Sequence, residues 1–238
     1  MDNMVKVLCV VQARLTSSRL PNKVLTELGN SGLSLLEHVN SRLHQSRYIE
    51  EVAFAIPDTA ENDALAEFLD SKGIPYSRGS EDDVLERFYL CAKKYNPELV
   101  VRATCDNPCV DWQLTDMLIE NIGDADYSYC YDAPLGTPTE VFTMESLEQA
   151  YVNSTGDIDR EHVTPYIKRN GKVLLPKYNG LSYRLTVDEE NDLKLTNIIY
   201  NELYHGQPIP NTDIYHYLSN HPEVAMINQK VHQKQLGE

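Results

Sequence analysis

Residues 10–25 read VVQARLTSSRLPNKVL, in which an apolar run passes directly into a loop that carries three cations, Arg14, Arg19 and Lys23. The apolar part belongs to the segment 5–11, which is rich in β-branched residues and predicts a strand buried on both faces. In open α/β sheets, ligands bind beyond the carboxyl ends of the strands. The stretch therefore predicts both the first strand of an α/β fold and a loop placed to bind a ligand.

The chemistry of this loop leaves two interpretations open. Backbone amides, guanidinium groups and an ammonium group form a cradle for phosphate oxygens, but a solvated basic loop is also common on protein surfaces. The loop contains neither the G-x-x-x-x-G-K-[ST] pattern of a P-loop nor the G-x-G-x-x-G pattern of a dinucleotide-binding fold. A phosphate ligand is thus a hypothesis that needs support from the rest of the chain.

The chain as a whole is acidic, with 21 Lys and Arg against 36 Asp and Glu among 238 residues and a formal net charge of −15. Because this charge repels nucleic acid and anionic lipid, we expect no nucleic-acid or membrane partner and only a small anion in a local basic site. The N-terminal segment lacks the features of a signal peptide, and no apolar run approaches the ~20 residues of a membrane span. The five scattered cysteines are expected to be reduced core residues, and together these features predict a cytoplasmic protein.

Strand and helix signals alternate through the first half of the chain. Asp58 or Thr59 is expected to cap the second helix and Gly73 to end it. A β-α-β-α-β-α-β series of this kind predicts a parallel sheet with helices on both faces. The predicted strands are 5–11, 51–56, 74–77 and 98–103, and the helices between them are 33–46, a segment ending at Gly73, and 82–95.

After Asp111 the alternation is looser, although we expect a single domain over residues 1–238. A helical segment at 160–169 is expected to be interrupted near Pro165. The predicted strands of this half are 126–131 and 183–187. The predicted helices are one around Leu118, then 145–152, 160–169, 192–204 and 212–220.

The stretch QARLTSSRLPNKVL resembles the N-terminal signature of the sugar cytidylyltransferases, [IV]-x-A-R-x-x-S-x-R-L-P-x-K-x-L, a group that includes the CMP-sialic acid and CMP-Kdo synthases. The chain also resembles the cytidylyltransferase-like family of spore coat polysaccharide biosynthesis protein F, over residues 5 to about 205. The segments that carry this second resemblance are SRGSEDDVLERF (77–88), VRATCDNPCVD (101–111), EVF (140–142), REHVTPYI (160–167) and YRLTVDEENDL (183–193).

The resemblance implies an α/β, GT-A-like Rossmannoid nucleotidyltransferase fold with a mostly parallel mixed sheet and helices on both faces. It implies transfer of CMP from CTP to a sugar or sugar-like acceptor with release of pyrophosphate, for surface polysaccharide or glycan precursors. It further implies Mg²⁺ as the cofactor and a homodimer. Residues 135–176 are the expected subregion for acceptor binding and dimerisation.

Matching positions in these segments imply roles for individual residues. The implied catalytic residues are Arg14, Lys23, Asp106 and His162, and the implied metal ligands are Asp106 and Asp188. The implied nucleotide-binding residues are Ala13, Arg14, Ser18, Arg19, Lys23, Arg78, Gly79 and Ser80. The implied acceptor-binding residues are Glu140, Arg160, Glu161 and His162.

The chemistry of nucleotidyl transfer needs these residue types. Attack on the α-phosphorus places negative charge on phosphoryl and pyrophosphate oxygens, which Mg²⁺ and cationic side chains stabilise. Mg²⁺ prefers oxygen ligands and usually takes one or two carboxylates. Asp106 and Asp188 each follow a predicted strand, so they are expected to converge, and two facing carboxylates repel when no metal is bound. Each also has a structural alternative as a turn or cap residue, as His162 has beside Pro165.

Two other functions are weighed against the cytidylyltransferase. A glycosyltransferase of GT-A fold typically places a D-x-D at a strand end, and the two local candidates, residues 124–126 and the neighbourhood of Asp106, lack that context. A non-catalytic nucleotide-binding protein is expected to lack Lys23 or an acidic metal ligand, and none of these is missing. The chain departs from the family pattern at Cys105 and Asn107, beside the expected metal site, and this leaves the identity of the acceptor open.

Overall fold

The structure, a computed structural model, describes residues 6–178 and 180–233. The single domain over 1–238 stays a prediction, and residues 1–5, 179 and 234–238, with Val5 of the first predicted strand, lie outside the described residues. Within the described ranges the strands are β1 (Val7–Gln12), β2 (Glu51–Pro57), β3 (Tyr76–Gly79), β4 (Leu99–Thr104), β5 (Tyr127–Ser128), β6 (Glu140–Thr143) and β7 (Val173–Leu174).

These strands form one sheet in the order β3-β2-β1-β4-β6-β5-β7. β1 pairs in parallel with β2 and β4, β2 with β3 and β5 with β7, whereas β6 runs antiparallel to both β4 and β5. The sheet is therefore mixed and mostly parallel, as predicted. Gln12 at the end of β1 lies opposite Thr104 at the end of β4, so the carboxyl ends of these two strands meet at one edge.

Helices surround this sheet, and two short 3-10 turns at Lys23–Leu25 and Ala60–Asn62 precede α1 and α2. The α-helices of the described residues are α1 (Leu35–Leu43), α2 (Asp63–Lys72), α3 (Val84–Lys93), α4 (Trp112–Asn121), α5 (Met144–Asn153), α6 (Asp157–His162), α7 (Pro165–Asn170), α8 (Glu190–Leu203), α9 (Asn211–Asn220) and α10 (Pro222–Ala225).

Both faces of the sheet are covered because successive side chains of a strand point to opposite sides. Cys9 and Val11 of β1 pack in a core with side chains of α1, α2, α4, α8 and α9. Leu8 and Val10 pack in a second core with side chains of α3, α5 and α7. The continuous apolar run of β1 is thus explained by burial on both faces. All five cysteines are buried, which confirms their prediction as core residues.

The start of α2 differs from its prediction, because neither Asp58 nor Thr59 caps this helix. The Asp58 carboxylate pairs with Arg78 at 2.9 Å, and the Thr59 hydroxyl accepts a hydrogen bond from Asn62 Nδ2 at 3.0 Å. A 3-10 turn therefore comes before α2. The end of α2 is predicted correctly, since Gly73 adopts φ 63° and stops the helix.

The prediction of a regular strand at 183–187 is wrong. This segment forms only an isolated bridge to Leu135. The Leu185 amide donates to the Leu135 carbonyl at 2.7 Å, but the Val187 amide donates to the Asp106 carbonyl at 2.8 Å. The hydrogen-bond partner changes from Leu135 to Asp106 within the segment. Residues 183–187 therefore do not form a regular ladder of hydrogen bonds with one strand.

Other differences lie in the second half of the chain. The sequence patterns do not predict β6, β7 or α10, and the predicted strand 126–131 is shortened to Tyr127–Ser128. The predicted interruption near Pro165 divides the segment into α6 and α7. Among the described residues, no helix is both long enough and apolar enough to cross a membrane.

Candidate active site

The loop after β1 turns back on itself and brings Lys23 to the edge where β1 and β4 end. The Leu15 amide donates to Asn62 Oδ1 at 2.9 Å, and the Asn22 amide donates to the Leu15 carbonyl at 3.1 Å. Asn22 has φ 58°, in the left-handed region that Asn tolerates better than most residues. The 3-10 turn that begins at Lys23 follows directly.

The Lys23 side chain is buried and lies between the two predicted metal ligands. Its Nζ is 3.1 Å from Asp188 Oδ1 and 3.4 Å from Asp106 Oδ2, and it donates to the Val187 carbonyl at 2.6 Å. The two carboxylates therefore converge, as expected. The expected repulsion between them is relieved, because the Lys23 ammonium group supplies a positive charge to both.

Asp188 is held by further cations. Its Oδ2 lies 3.0 Å from Arg184 Nη2 and 3.4 Å from Arg19 Nη2. Burial alone would raise the pKa of Asp188, but the charges of Lys23, Arg19 and Arg184 hold this pKa below its ordinary value. Arg184 is itself anchored by the fully buried Asp192, 2.8 Å from Arg184 Nε. The carboxylate of Asp188 is thus kept ionised and fixed in position.

Asp106 is oriented by a short relay of side chains. The Thr104 hydroxyl donates to Asp106 Oδ1 at 2.6 Å, and Asn107 Nδ2 donates to Thr104 Oγ1 at 2.8 Å. The departure from the family pattern at Asn107 therefore supports the carboxylate. Cys105, the other departure, is buried and contributes to the wall of the adjacent cavity.

A cavity of about 620 Å³ opens beside these carboxylates. Of the residues implied by the resemblance, Ala13, Arg14, Ser18, Arg19, Lys23, Asp106, Glu161, His162 and Asp188 line it. The implied residues that are not among its lining residues are Arg78, Gly79, Ser80, Glu140 and Arg160. The structure thus gathers the first loop, both acidic residues and the end of α6 around one space.

The segment implied to lie near the base and ribose is bound by its neighbours instead of facing the cavity. Arg78 forms ion pairs with Asp58 at 2.9 Å and with Asp63 at 2.7 Å. A Cβ atom on Gly79 would lie 3.0 Å from Arg87 Cγ, so the absence of a side chain leaves room for Arg87. The Ser80 carbonyl accepts a hydrogen bond from Arg87 Nη1. This segment supports Arg87, which does line the cavity.

Glu140 is buried in β6 among cationic partners. It pairs with Arg102 and, at 2.8 Å, with Lys168, and accepts hydrogen bonds from Tyr127 Oη at 2.5 Å and Thr164 Oγ1 at 2.8 Å. Burial alone would raise the pKa of Glu140, but the charges of Arg102 and Lys168 dominate and lower it to about 2. These contacts make Glu140 a structural anchor of the sheet.

Arg160 and His162 lie in α6 but have different surroundings. Arg160 pairs with Asp83 at 3.2 Å and stacks over Tyr151, which ties α6 to its neighbouring helices. His162 lines the cavity, and its Nε2 lies 3.9 Å from Glu161 Oε2.

The backbone next to His162 is strained. Val163 adopts φ 68° and ψ −55°, and the Thr164 amide donates to the His162 carbonyl at 2.8 Å, which together define a γ-turn. Such backbone strain is concentrated at functional sites in many proteins. The turn ends α6 at the point where His162 faces the cavity.

For three residues of the site, the sequence patterns predict no role. Thr104 orients Asp106, Arg184 holds Asp188, and Arg87 lines the cavity from α3. Arg87 carried a detectable signal, because it is a charged residue on the apolar side of a predicted helix, between Leu85 and Phe88. Arg184 and Thr104 act through contacts that periodicity does not reveal.

Comparison with known proteins shows the family of the chain. Residues 8–201 match the family model described as Cytidylyltransferase. An uncharacterized protein of Methanocaldococcus jannaschii is 36% identical over 98% of this chain and 98% of its own. Spore coat polysaccharide biosynthesis protein SpsF of Bacillus subtilis is 30% identical over 92% of this chain and 96% of its own.

The fold is also found among solved structures. A cytidylyltransferase from Leptospira borgpetersenii superposes with a TM-score of 0.86 at 26% identity, and the match covers 96% of this chain and 99% of that chain. The family resemblance and the α/β nucleotidyltransferase fold predicted from the sequence are both confirmed by these matches.

Proposed function

The chain belongs to the cytidylyltransferase family and is a nucleotidyltransferase, and from this premise we propose that it transfers CMP from CTP to a sugar-like acceptor and releases pyrophosphate. The observation that carries the proposal is the position of Lys23, within 3.4 Å of both Asp106 and Asp188 beside an open cavity. A phosphate-binding cation and two converging carboxylates are the groups that a metal-assisted phosphoryl transfer requires.

The first loop supplies the cations for the triphosphate. Arg14 is exposed at the cavity and, among the described residues, makes no hydrogen bond or ion pair. Its planar guanidinium group is free to bind two phosphate oxygens at once. Arg19 also lines the cavity and forms ion pairs with Asp188 and Glu189. The hydroxyl group of Ser18 lies in the same loop.

Asp106 and Asp188 fit a Mg²⁺ ion by the chemistry of their donor atoms. Both already converge on one cation, the Lys23 ammonium group. Among the described residues, no cluster of three or more His, Cys, Asp or Glu is placed to hold a metal. Two carboxylates, completed by phosphate oxygens and water, are a common set for this ion. When bound, Mg²⁺ would neutralise the negative charge that develops on the phosphate oxygens.

The acceptor side of the cavity is formed by the end of α6. Glu161 and His162 line it together, which supports the proposal that His162 accepts the proton of an attacking hydroxyl group. The acceptor classes consistent with this arrangement are sialic-acid-like and other 2-keto sugars, sugar phosphates and polyol phosphates. The name of the Bacillus subtilis relative supports a role in precursor synthesis for a surface polysaccharide.

The alternative of a nucleotide-sugar-dependent glycosyltransferase has less support. Its D-x-D candidate consists of Asp124 and Asp126, neither of which lines the cavity. Both acidic residues bind Lys172, Asp124 through the ammonium group at 2.5 Å and Asp126 through the backbone amide at 2.7 Å. A non-catalytic nucleotide-binding protein would have no need for the conjunction of Lys23 with two carboxylates.

A homodimer through residues 135–176 is part of the proposal. Four large apolar side chains in this subregion are exposed to solvent, and their burial between two subunits would stabilise a dimer. These side chains are Leu135, Val152, Ile158 and Leu175.

The experiment that tests the function measures pyrophosphate release with Mg²⁺, each of the four nucleoside triphosphates and a panel of acceptors. The panel contains 2-keto sugars, sugar phosphates and polyol phosphates. We expect release only with CTP and one acceptor class. Equal release with all four triphosphates, or transfer of sugar from a nucleotide-sugar, would contradict the proposal.

A further inference from the structure

Arg87 is a buried cation for which the described residues provide no ion-pair partner. Its side chain projects from α3, and only 3% of the residue surface is exposed. No carboxylate of the described residues lies within 4 Å of its guanidinium group, unlike the buried Arg184, which pairs with Asp188 and Asp192. A buried charge is expensive unless a partner compensates it. Arg87 therefore needs a negative charge that the described part of the protein does not supply.

The guanidinium group of Arg87 is also only partly hydrogen-bonded. Its Nη1 donates to the carbonyls of Ser80 and Glu81, the latter at 3.2 Å. Its Nε is buried and has no partner, and no hydrogen bond forms at Nη2 among the described residues. Most buried donors in folded proteins are satisfied. The free donors belong to a side chain that lines the candidate active-site cavity.

A second cation lies close to Arg87. Burial lowers the pKa of Arg87 to about 10, and the charge of Arg14 adds to this effect. Glu81 and Asp83 act in the opposite direction, but both are engaged elsewhere. Glu81 accepts a hydrogen bond from Thr16 at 3.2 Å, and Asp83 caps α3 while pairing with Arg160. Two neighbouring guanidinium groups thus face the same cavity, and neither forms an ion pair with a described residue.

The backbone next to Arg87 leaves room for its side chain. Gly79 packs against Arg87, and a Cβ atom at that position would lie 3.0 Å from Arg87 Cγ and 3.2 Å from its Cβ. The carbonyls of Ser80 and Glu81 then fix one edge of the guanidinium plane. Fixing one edge leaves the opposite edge for a ligand with several acceptor oxygens.

We propose that Arg87, acting with Arg14, binds the polyphosphate chain of the nucleotide substrate. Phosphate oxygens supply both the missing charge and the missing acceptors. This inference rests on the proposed function, since it names a further residue of the same nucleotide site. Unlike the proposed function, the inference also predicts that the site binds inorganic pyrophosphate, which is the released product and carries no base.

The test compares the intact protein with its Arg87→Met variant, using calorimetric titration with CTP, inorganic pyrophosphate and cytidine. We expect the dissociation constants of CTP and pyrophosphate to rise about 10- to 100-fold, as for loss of a hydrogen-bonded charge. The binding of cytidine should change less than twofold. Lys93→Met is the matched control, because Lys93 is an exposed cation at the far end of the same helix and its removal changes the net charge equally.

A structural role for Arg87 makes a different prediction. If Arg87 served only to fix the Ser80 and Glu81 carbonyls, Arg87→Met would lower the unfolding temperature and leave the pyrophosphate affinity unchanged. If Arg87 contacted the base, the affinity for cytidine would fall as much as that for CTP. Either result overturns the proposal. Arg87→Lys keeps the positive charge but lacks the planar guanidinium group, so it should bind pyrophosphate with intermediate affinity. This variant also serves as a control for misfolding of Arg87→Met.

Failure of the proposed function is distinguishable from failure of this inference. An unmodified protein that binds all nucleoside triphosphates equally would contradict the cytidylyl specificity. The effect of Arg87→Met on pyrophosphate affinity would remain measurable in that protein. Loss of pyrophosphate binding in Arg87→Met, with retention in Lys93→Met, supports the polyphosphate site whatever the base preference.

Discussion

Lys23 Nζ lies 3.1 Å from Asp188 Oδ1, in a buried ion pair between residues 165 positions apart. This contact joins the loop after β1 to the segment before α8. Because the ammonium group also lies 3.4 Å from Asp106 Oδ2, it shares the space between the two carboxylates that would hold a metal. Lysine and metal ion are therefore expected to compete for the same oxygen atoms.

Replacement of Lys23 by Met should strengthen metal binding in the absence of nucleotide. Met has a similar length but no charge, so Asp106 and Asp188 lose the cation they share and attract a divalent ion more strongly. We expect Mn²⁺, used as a spectroscopic substitute for Mg²⁺, to bind Lys23→Met at least about tenfold more tightly than the unmodified protein. Electron paramagnetic resonance of free Mn²⁺ measures this affinity. Equal affinities in the two proteins would refute the competition.

The same Lys23→Met variant should bind CTP more weakly when no metal is present, since one phosphate contact is lost. Tighter metal binding together with weaker CTP binding would show that Lys23 binds phosphate. Tighter metal binding without a change in CTP affinity would mean that Lys23 only neutralises the carboxylates. Lys93→Met serves as the control for the change in net charge, and neither affinity should change in it.

Asp106→Asn should lower turnover with a verified acceptor by on the order of 10²–10³, because a charge that stabilises the transition state is removed. The unfolding temperature should hardly change, since Lys23 retains its contacts with Asp188 and the Val187 carbonyl. Steady-state kinetics and thermal unfolding provide the two readouts. Asp124→Asn is the matched control, and a comparable loss of activity there would favour the glycosyltransferase alternative.

Asn107→Ala should affect the site through Thr104. Without the Asn107 amide donor, the Thr104 hydroxyl loses the partner that orients it toward Asp106. Loss of such a supporting contact typically costs 10- to 100-fold in metal affinity or activity. We expect a reduction of about tenfold in Mn²⁺ affinity with bound CTP, and no change in CTP affinity without metal. Unchanged metal affinity would show that the relay has no functional role.

Glu140→Gln should destabilise the protein at pH 7 by on the order of 3 kcal/mol, because the buried Glu140 carboxylate no longer balances the charges of the half-buried Arg102 and Lys168. The folded-state pKa of Glu140 is lowered from 4.5 to about 2. Its stabilising contribution is therefore complete above about pH 4.5 and is lost as the pH falls toward 2. Urea unfolding of both proteins between pH 7 and pH 2 should give curves that converge at acid pH.

Exposed Glu145 offers a control for this measurement, since Glu145→Gln should change the free energy of unfolding by no more than about 0.5 kcal/mol. A difference between Glu140→Gln and the unmodified protein that stays constant down to pH 2 would mean that the pKa of Glu140 is not lowered.

The proposed homodimer predicts that a charge placed in residues 135–176 separates the subunits. Val152 is 68% exposed, and Val152→Glu should convert a dimer into a monomer at micromolar concentration, as measured by light scattering after gel filtration. Met226 is 63% exposed but lies outside this segment, so Met226→Glu should remain dimeric. A monomeric unmodified protein, or dissociation caused only by Met226→Glu, would exclude this interface.

Much of the first half of the fold follows from local sequence patterns. The apolar run of β1, the amphipathic pattern of α1 and α3 and the glycine that ends α2 depend on neighbours within a few residues, so periodicity and capping rules describe them. The motif of the first loop likewise identified Arg14, Lys23 and the family. These features are properties of short segments, so they can be predicted without the rest of the molecule.

The tertiary structure alone decided which of the implied residues share a site. Asp188 contacts Lys23 because it follows a segment that has the sequence pattern of a strand but forms only one bridge. Glu140 pairs with Arg102 and Lys168 and does not line the cavity. Among the described residues, Arg87 forms no ion pair, although two acidic residues are close in sequence. Pairing of charges depends on distances between elements far apart in the chain, and a buried charge responds to whichever partner the fold brings within a few ångströms.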